Sequence, residues 1–132
     1  MELKDFVFEG SCLGKSILIA EDQAINSYFL EELFAASKAK VYCAVNGLEA
    51  VNIMRKHPEI ELILMDIKMP HMSGYEATPL VKEINPAVKV IATTAFALQD
   101  DEEAVRSVGC DSYVTKPINV NVLVNEVRRV LF

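Results

Sequence analysis

Five polar side chains follow short apolar segments, at places where a folded chain can gather them into one site. They are Glu21, Asp22, Asp66, Thr94 and Lys116. Three carboxylates brought together repel one another, so such a group either takes up protons or recruits a cation. A hard divalent ion with oxygen ligands, usually Mg²⁺, fits such a cluster. A lysine opposite the ion could pair with an oxygen of a bound phosphoryl group.

Each of these residues also has an ordinary structural explanation. Asp22 lies directly before an apolar helical pattern and could cap that helix. Asp66 could cap a loop, Thr94 could be an ordinary strand-end residue, and Lys116 alone indicates little. The group is more specific than its members, because all of them occupy equivalent places in successive strand–helix units.

The elements that must position these residues alternate regularly from Lys15 onward. Apolar runs predict strands at Ser16–Ala20, Lys40–Val45, Glu61–Met65, Val88–Thr93 and Ser112–Thr115. Helical periodicity predicts helices at Ala24–Ser37, from Asn46-Gly47 to near Pro58, at Gly74–Ile84, at Leu98–Val108 and from Val120 onward. The buried face of the first helix is predicted to consist of Ile25, Phe29, Leu33 and Ala36.

Five strand–helix units in succession predict an α/β domain with a doubly wound parallel sheet. Nearly continuous apolar strands, such as the one around Ile63–Met65, suit a sheet that helices cover on both faces. Folds of this kind place their ligands beyond the carboxyl ends of the strands, where the strand order reverses. The polar residues that follow the strands are therefore expected to meet at one edge of the sheet.

The composition limits the class of protein. At 132 residues the chain has the size of one domain, which we divide into a linker or N-terminal arm at 1–14 and a folded domain at 15–132. Its net charge of −6 disfavours nucleic-acid binding. The spacing of Cys12, Cys43 and Cys110 favours neither a disulfide framework nor a zinc site. Because the sequence shows no secretory signal and no apolar run of membrane length, we expect a cytoplasmic protein without membrane contact.

Four segments carry a resemblance to a known family. They are ILIAEDQAIN (17–26), LILMDIKMPHMSGYEA (62–77), VIATTAFA (90–97) and DSYVTKPI (111–118). In the second segment, Asp66 is followed by three residues, then by Pro70 and by Gly74. The acid pair, this spacing, the TA dipeptide and the KP dipeptide make the chain resemble a two-component receiver domain over about residues 15–131. The stretches AEDQAIN and TTAFA are most similar to receivers of hybrid sensor histidine kinases.

This resemblance implies a sheet of flavodoxin-like order 2-1-3-4-5 and a nucleophile with a metal beside it. Asp66 would be the nucleophile that becomes an aspartyl phosphate. Mg²⁺, or else Mn²⁺, would be bound by Asp22, by Asp66 and by the backbone carbonyl of Lys68. Glu21 would orient the water ligands of the ion.

The resemblance also implies a switch that responds to the phosphoryl group. Lys116 and Thr94 would contact that group, and Tyr113 would move with Thr94. The Lys116–Pro117 peptide bond would be cis. The signal would leave through the face of helix 4, strand 5 and helix 5.

Helix 5 carries Val122 and Val124 in addition to its core positions, which is more apolar surface than one buried stripe needs. This surplus indicates that a surface around Tyr113, Phe96 and Val124 binds a downstream protein or a second copy of the chain. The alternative is that a large core takes both valines.

The phosphoryl donor implied by the resemblance is a histidine kinase or a histidine phosphotransfer protein. The main interpretation is a receiver excised from a hybrid kinase, with a stand-alone single-domain regulator as the alternative. A second alternative is a pseudo-receiver that acts only as an interaction module. A third is a Mg²⁺-dependent phosphohydrolase, but that enzyme would need a further acid or base beside Asp66, and Ile67 and Lys68 supply none.

Overall fold

The structure, a computed structural model, describes residues 12–95 and 99–132, without the side chains of residues 99–101. Its strands are β1 (Ser16–Ala20), β2 (Lys40–Ala44), β3 (Leu62–Asp66), β4 (Lys89–Thr94) and β5 (Ser112–Thr115). Its helices are α1 (Ala24–Ala36), α2 (Gly47–Lys56), α3 (Gly74–Ile84), α4 (Gln99–Ser107) and α5 (Val120–Leu131). None of the helices in these two ranges is long and apolar enough to cross a membrane.

The strands form one parallel sheet in the order β2-β1-β3-β4-β5, which confirms the predicted doubly wound fold. The strand order reverses between β1 and β3, and this is where such sheets open a crevice. Ala20 pairs with Met65 across that point, and Asp66 pairs with Thr93 on the neighbouring strand. The carboxyl ends of β1, β3 and β4 are therefore adjacent.

Two hydrophobic cores lie on opposite faces of the sheet. Strand β3 is buried along its whole length, with Ile63 and Met65 in one core and Leu62 and Leu64 in the other. The first core includes buried residues of α2, α3 and α4, and the second includes those of α1 and α5. This double cover explains why the central strands are apolar throughout rather than alternating.

Helix α1 buries most of the predicted stripe, since Leu33 lies in the core and Phe29 and Ala36 pack against it. Its buried residues are Leu30, Leu33 and Phe34, whereas Ile25 is 84% exposed. The prediction that Ile25 belongs to the core is therefore wrong. One helical turn before Leu30 lies Asn26, which faces the end of the sheet, so Ile25 is rotated toward solvent.

Helix α5 buries Leu123, Val124 and Val127. Val124 packs into the same core as α1 and exposes only 4% of its surface. Its predicted place on the output surface is therefore wrong, because the core absorbs this valine. Val122, at 49% exposure, faces solvent instead. Phe96, also assigned to that surface, lies outside the described residues.

The cysteines contribute to packing rather than to a covalent framework. All three are free thiols. Cys12 is buried in the core beside α1, and its N–H donates to the carbonyl of Ser37, so the packed part of the chain includes residue 12. Burial raises the pKa of both Cys43 and Cys110 to about 11. Thiols with so high a pKa are poor nucleophiles at neutral pH.

Candidate functional site

The predicted site residues meet at the carboxyl edge of the sheet. Carboxylate oxygens of Glu21, Asp22 and Asp66 lie within 4.8 Å of one another. A pocket of about 290 Å³ opens beside them, and its lining includes Asp22, Asp66, Lys68, Thr94 and Lys116. Glu21 does not contribute to the lining, because it lies deeper and exposes only 2% of its surface.

Lys116 bridges two of the three carboxylates. Its Nζ donates to Asp66 Oδ2 at 3.0 Å and to Glu21 Oε2 at 3.0 Å, with a longer contact of 3.3 Å to Glu21 Oε1. The backbone N–H of Lys116 donates to the carbonyl of Thr94 at 2.7 Å, which ties the segment after β5 to the end of β4. The peptide bond between Lys116 and Pro117 is cis.

Burial and mutual contacts shift the pKa values of Asp66 and Lys116. Burial raises the pKa of Asp66 to about 6; the Lys116 ammonium opposes this rise and the neighbouring Glu21 carboxyl adds to it. Burial lowers the pKa of Lys116, but hydrogen bonds to Asp66 and Glu21 more than offset that effect, so its pKa lies above the ordinary value. At neutral pH the pair is therefore an ionised carboxylate facing an ammonium.

The raised pKa of Asp66 predicts how stability depends on pH when no metal is bound. The folded chain holds the Asp66 proton up to about pH 6, whereas the ordinary value is 3.8. Stability is thus lost as the pH rises from about 4 to 6, where the folded state binds more protons than the unfolded state. Asp66→Asn removes this penalty and should raise the free energy of unfolding at pH 7 by about 1–2 kcal/mol.

Urea unfolding of both proteins in EDTA, between pH 4 and 7.5, measures the difference. We expect it to widen up to about pH 6 and then level off, because Asp66 is ionised above that pH. The exposed variant Glu103→Gln serves as a control without a buried charge. A difference that stays constant over this range would contradict the assignment.

The loop after β3 holds the Asp66 carboxylate through a backbone hydrogen bond. The N–H of Lys68 donates to Asp66 Oδ1 at 3.1 Å, and the N–H of Gly74 donates to the carbonyl of Ile67 at 3.0 Å. A Cβ at position 74 would lie 2.4 Å from the carbonyl oxygen of Asp66, closer than any side chain can approach. Only glycine lets α3 start so near the end of β3. Ser73 and Glu76 then cap this helix reciprocally.

The predicted switch residues are only partly brought together. Thr94 is buried and lines the pocket. Tyr113 lies outside the pocket lining, packs against the core of α2 and α3, and donates its hydroxyl to Glu102 Oε2 at 3.4 Å. The movement of Tyr113 with Thr94 stays a prediction, as does the role of the Lys68 carbonyl.

Two donors near the start of α1 belong to the site, although neither was predicted. Glu21 Oε1 accepts from the backbone N–H of Gln23 at 3.2 Å and from Asn26 Nδ2 at 3.3 Å. The signal for Asn26 was its place one helical turn before Leu30, on the sheet-facing stripe of α1. A polar residue on such a stripe needs a partner at the sheet edge.

A groove of about 630 Å³ borders the site on the side of α1. Ile25, Phe29, Pro117 and Ile118 supply apolar walls, and Asn26 and Lys116 lie at its polar end. Tyr28, one turn from Ile25 and 64% exposed, extends the apolar surface of α1. An exposed apolar patch of this kind beside a polar site is typical of an interaction surface.

The donor set suits a hard divalent cation. Carboxylate oxygens are the ligands that Mg²⁺ prefers, and this ion keeps several waters while binding through one or two carboxylates. Asp22 is exposed and Asp66 faces the same pocket, so an ion could reach both. The third carboxylate, Glu21, is buried behind them, and Lys116 contacts both Glu21 and Asp66.

Comparison with known proteins agrees with this arrangement. Residues 17–128 match the family described as Response regulator receiver domain. The chain is 40% identical over 121 residues to the polar-differentiation response regulator DivK of Brucella anthropi, covering 90% of this chain and 98% of that protein. It is 39% identical, with the same coverage, to DivK of Brucella ovis. These relatives give no support to the predicted origin in a hybrid kinase.

Solved structures show the same architecture. The Saccharomyces cerevisiae complex of the histidine phosphotransfer protein Ypd1 with the receiver domain of the response regulator Ssk1 matches with a TM-score of 0.80 and 32% identity, covering 86% of each chain. The CheX–CheY–BeF3–Mg complex of Borrelia burgdorferi matches with a TM-score of 0.85 and covers 99% of each chain, and at 21% identity it shows the fold alone. With its sheet order, its acidic edge and these matches, the chain belongs to the response regulator receiver domain family.

Proposed function

We propose that this chain is a phosphorelay receiver that takes a phosphoryl group from a phosphohistidine onto Asp66 in the presence of Mg²⁺. The observation that carries the proposal is the Lys116 ammonium, 3.0 Å from Asp66 Oδ2, at the edge of a pocket that Asp22 and Thr94 also line. An ionised carboxylate with a fixed cation beside it suits phosphoryl transfer, which depends on positioning and charge neutralisation more than on proton transfer.

The transfer step follows from this geometry. One oxygen of Asp66 attacks phosphorus, the bond between phosphorus and the donor imidazole nitrogen breaks, and the electron pair stays on that nitrogen. Because Asp66 is already ionised at neutral pH, no general base is needed. Lys116 neutralises charge on the transferred oxygens and Thr94 can donate its hydroxyl to one of them. Asp22 and Asp66 would hold Mg²⁺, which would supply further positive charge there.

We place the phosphodonor on α1. The apolar groove of Ile25, Phe29, Pro117 and Ile118 leads to Lys116, so a helical partner lying in it would bring a histidine close to Asp66. A histidine phosphotransfer protein is a partner of the right chemistry, and the Ssk1 receiver, at 32% identity, forms a complex with such a protein.

Ile25→Glu should slow phosphoryl transfer from a phosphorylated histidine phosphotransfer domain about tenfold or more. The substitution puts a charge where the apolar Ile25 side chain would contact the partner. Transfer from acetyl phosphate, which needs no docking surface, should stay within about twofold of wild type. Both rates are measured by the intact mass of the chain. The matched control is Leu48→Glu, an exposed leucine of α2 on the opposite face of the sheet. Equal slowing with both donors would contradict docking on α1.

Output is proposed on the surface of α4, β5 and α5, around Tyr113 and with Val122 in place of the buried Val124. Beryllofluoride, an acyl-phosphate mimic, should bind with Mg²⁺ and change hydrogen exchange at 111–115 and 120–127 as well as near Asp66. Binding without change at 111–127 would refute this output surface. No binding at all would favour the pseudo-receiver, an interaction module that does not take phosphate.

The relatives bear on the origin of the chain. The curated relatives named above are response regulators that this chain spans over 98% of their length, which favours a DivK-like regulator over a hybrid-kinase receiver. We place the protein in the cytoplasm, where phosphohistidine donors of two-component systems act. Co-purification of the chain with membranes would contradict that location.

A further inference from the structure

The carboxylate of Glu21 is surrounded by donors of the protein itself. Oε1 accepts from the N–H of Gln23 at 3.2 Å, from Asn26 Nδ2 at 3.3 Å and from Lys116 Nζ at 3.3 Å. Oε2 accepts from Lys116 Nζ at 3.0 Å. A carboxylate offers about four lone-pair positions. Three of the contacts fall on Oε1, so the protein's own donors fix this oxygen, while Oε2 has Lys116 alone and keeps room for a further donor.

The position of Glu21 agrees with this account. Asp22 and Asp66 line the pocket, whereas Glu21 is buried behind it and does not. An ion entering the pocket therefore meets Asp22 and Asp66 first. The role of Glu21 toward the water ligands of the metal stays a prediction, and its contacts add a second role as a partner of Lys116.

Helix α1 is what holds Glu21 in place. This helix has no side-chain N-cap and no acidic residue in its first turn. The Glu21 carboxylate accepts from the N–H of its N-cap residue, Gln23, and lies with Asp22 at the helix start, where negative charge is favoured. The second hydrogen bond from α1 to Glu21 comes from Asn26, on the sheet-facing stripe of the same turn. Its amide lies at the polar end of the apolar groove, where partial shielding from water makes a hydrogen bond to a charged group stronger.

We propose that Asn26 is a positioning residue for the phosphoryl-transfer step. By donating to Glu21 Oε1, it fixes the carboxylate that in turn fixes the Lys116 ammonium beside Asp66. A lysine side chain loses much rotational freedom when it is held in one place. When its carboxylate partner is anchored, Lys116 is already ordered before the phosphoryl group arrives. The entropy cost of ordering this lysine is then not part of the barrier to phosphoryl transfer.

Two substitutions separate a donor role from a packing role. Asn26→Leu keeps the volume and removes the donor, whereas Asn26→Asp keeps the shape and puts a second carboxylate against Glu21. At saturating Mg²⁺ we expect the rate of phosphorylation by acetyl phosphate to fall about five- to tenfold in Asn26→Leu and further in Asn26→Asp. The Mg²⁺ dissociation constant of Asn26→Leu should stay within about twofold of wild type. Asn52→Leu, on an exposed position of α2, is the control and should change neither value.

A metal-free measurement tests the same contact without reference to phosphorylation. Carbon-13 relaxation at Cε of Lys116, with EDTA present, should show a more mobile side chain in Asn26→Leu than in wild type or Asn52→Leu. Unchanged mobility, or a wild-type rate in Asn26→Asp, would overturn the proposal. The proposal would also be overturned if Asn26→Leu bound Mg²⁺ about tenfold more weakly and excess Mg²⁺ restored its rate of phosphorylation. Glu21 would then act through the metal and not through Lys116.

The kinetic part rests on the proposed phosphoacceptor function, and the relaxation part does not. If wild type takes no phosphoryl group, the proposed function fails. The mobility of Lys116 then decides alone whether Asn26 positions it.

Discussion

Asp66→Asn is expected to abolish phosphorylation of the chain by acetyl phosphate and Mg²⁺ completely, whereas wild type should gain one phosphoryl group. The amide of asparagine is neutral and lacks the negative charge with which the carboxylate attacks phosphorus. Lys116 keeps its contacts with Glu21 in the variant, so the loss reflects the missing nucleophile rather than a displaced lysine. Intact mass before and after incubation measures the outcome.

The same variant gives its own control for folding. Because Asp66→Asn removes a buried charge, it should be more stable than wild type in EDTA, and misfolding cannot then explain a loss of phosphorylation. Asp111→Asn is the matched acid outside the site, where Asp111 pairs with Lys82 at 2.8 Å, and it should still accept the phosphoryl group. A full mass gain in Asp66→Asn would refute Asp66 as the acceptor. Continued release of inorganic phosphate by the wild-type chain, at an enzymatic rate, would favour a phosphohydrolase.

Much of the fold could be predicted from local pattern. The central strands are buried on both faces, so their sequences are continuous apolar runs. These runs predicted five parallel strands and the edge of the sheet where the polar residues that follow them meet. Asp22, Asp66, Thr94 and Lys116 do share one pocket at that edge. Such a prediction works because each residue depends on the end of its own strand and not on distant packing.

The errors concern positions that depend on packing between elements. Apolar character placed Ile25 in the core, but only the angle at which α1 crosses the sheet shows that Asn26 occupies that stripe. Val124 was assigned to the surface because α5 has more valines than one stripe needs, yet the core takes it. The contact of Asn26 with Glu21 also depends on packing, because it joins the sheet-facing side of α1 to the end of β1.

Lys116→Ala should make the stability of the domain depend on Mg²⁺. Lys116 is the cation between Glu21 and Asp66, whose side chains are 2% and 6% exposed. Removing one member of a buried ion group leaves charges without a partner, at a cost of about 3 kcal/mol in EDTA. Mg²⁺ can replace part of the lost positive charge, so it should stabilise the variant more than it stabilises wild type.

Urea unfolding with EDTA and with saturating Mg²⁺ measures this for Lys116→Ala and for Lys116→Met, which keeps the aliphatic stem beside Pro117. Similar results for both variants would assign the effect to charge. Lys82→Met is the control, because Lys82 is about as exposed as Lys116 and pairs with Asp111 away from the acidic pocket. Its loss of stability should be equal with and without Mg²⁺. Since Lys116 repels a cation in the pocket, its removal should raise the affinity for Mg²⁺, as the larger stabilisation by the ion requires. A clear loss of Mg²⁺ affinity in Lys116→Ala would show that the lysine organises the metal ligands rather than competing with the ion for them.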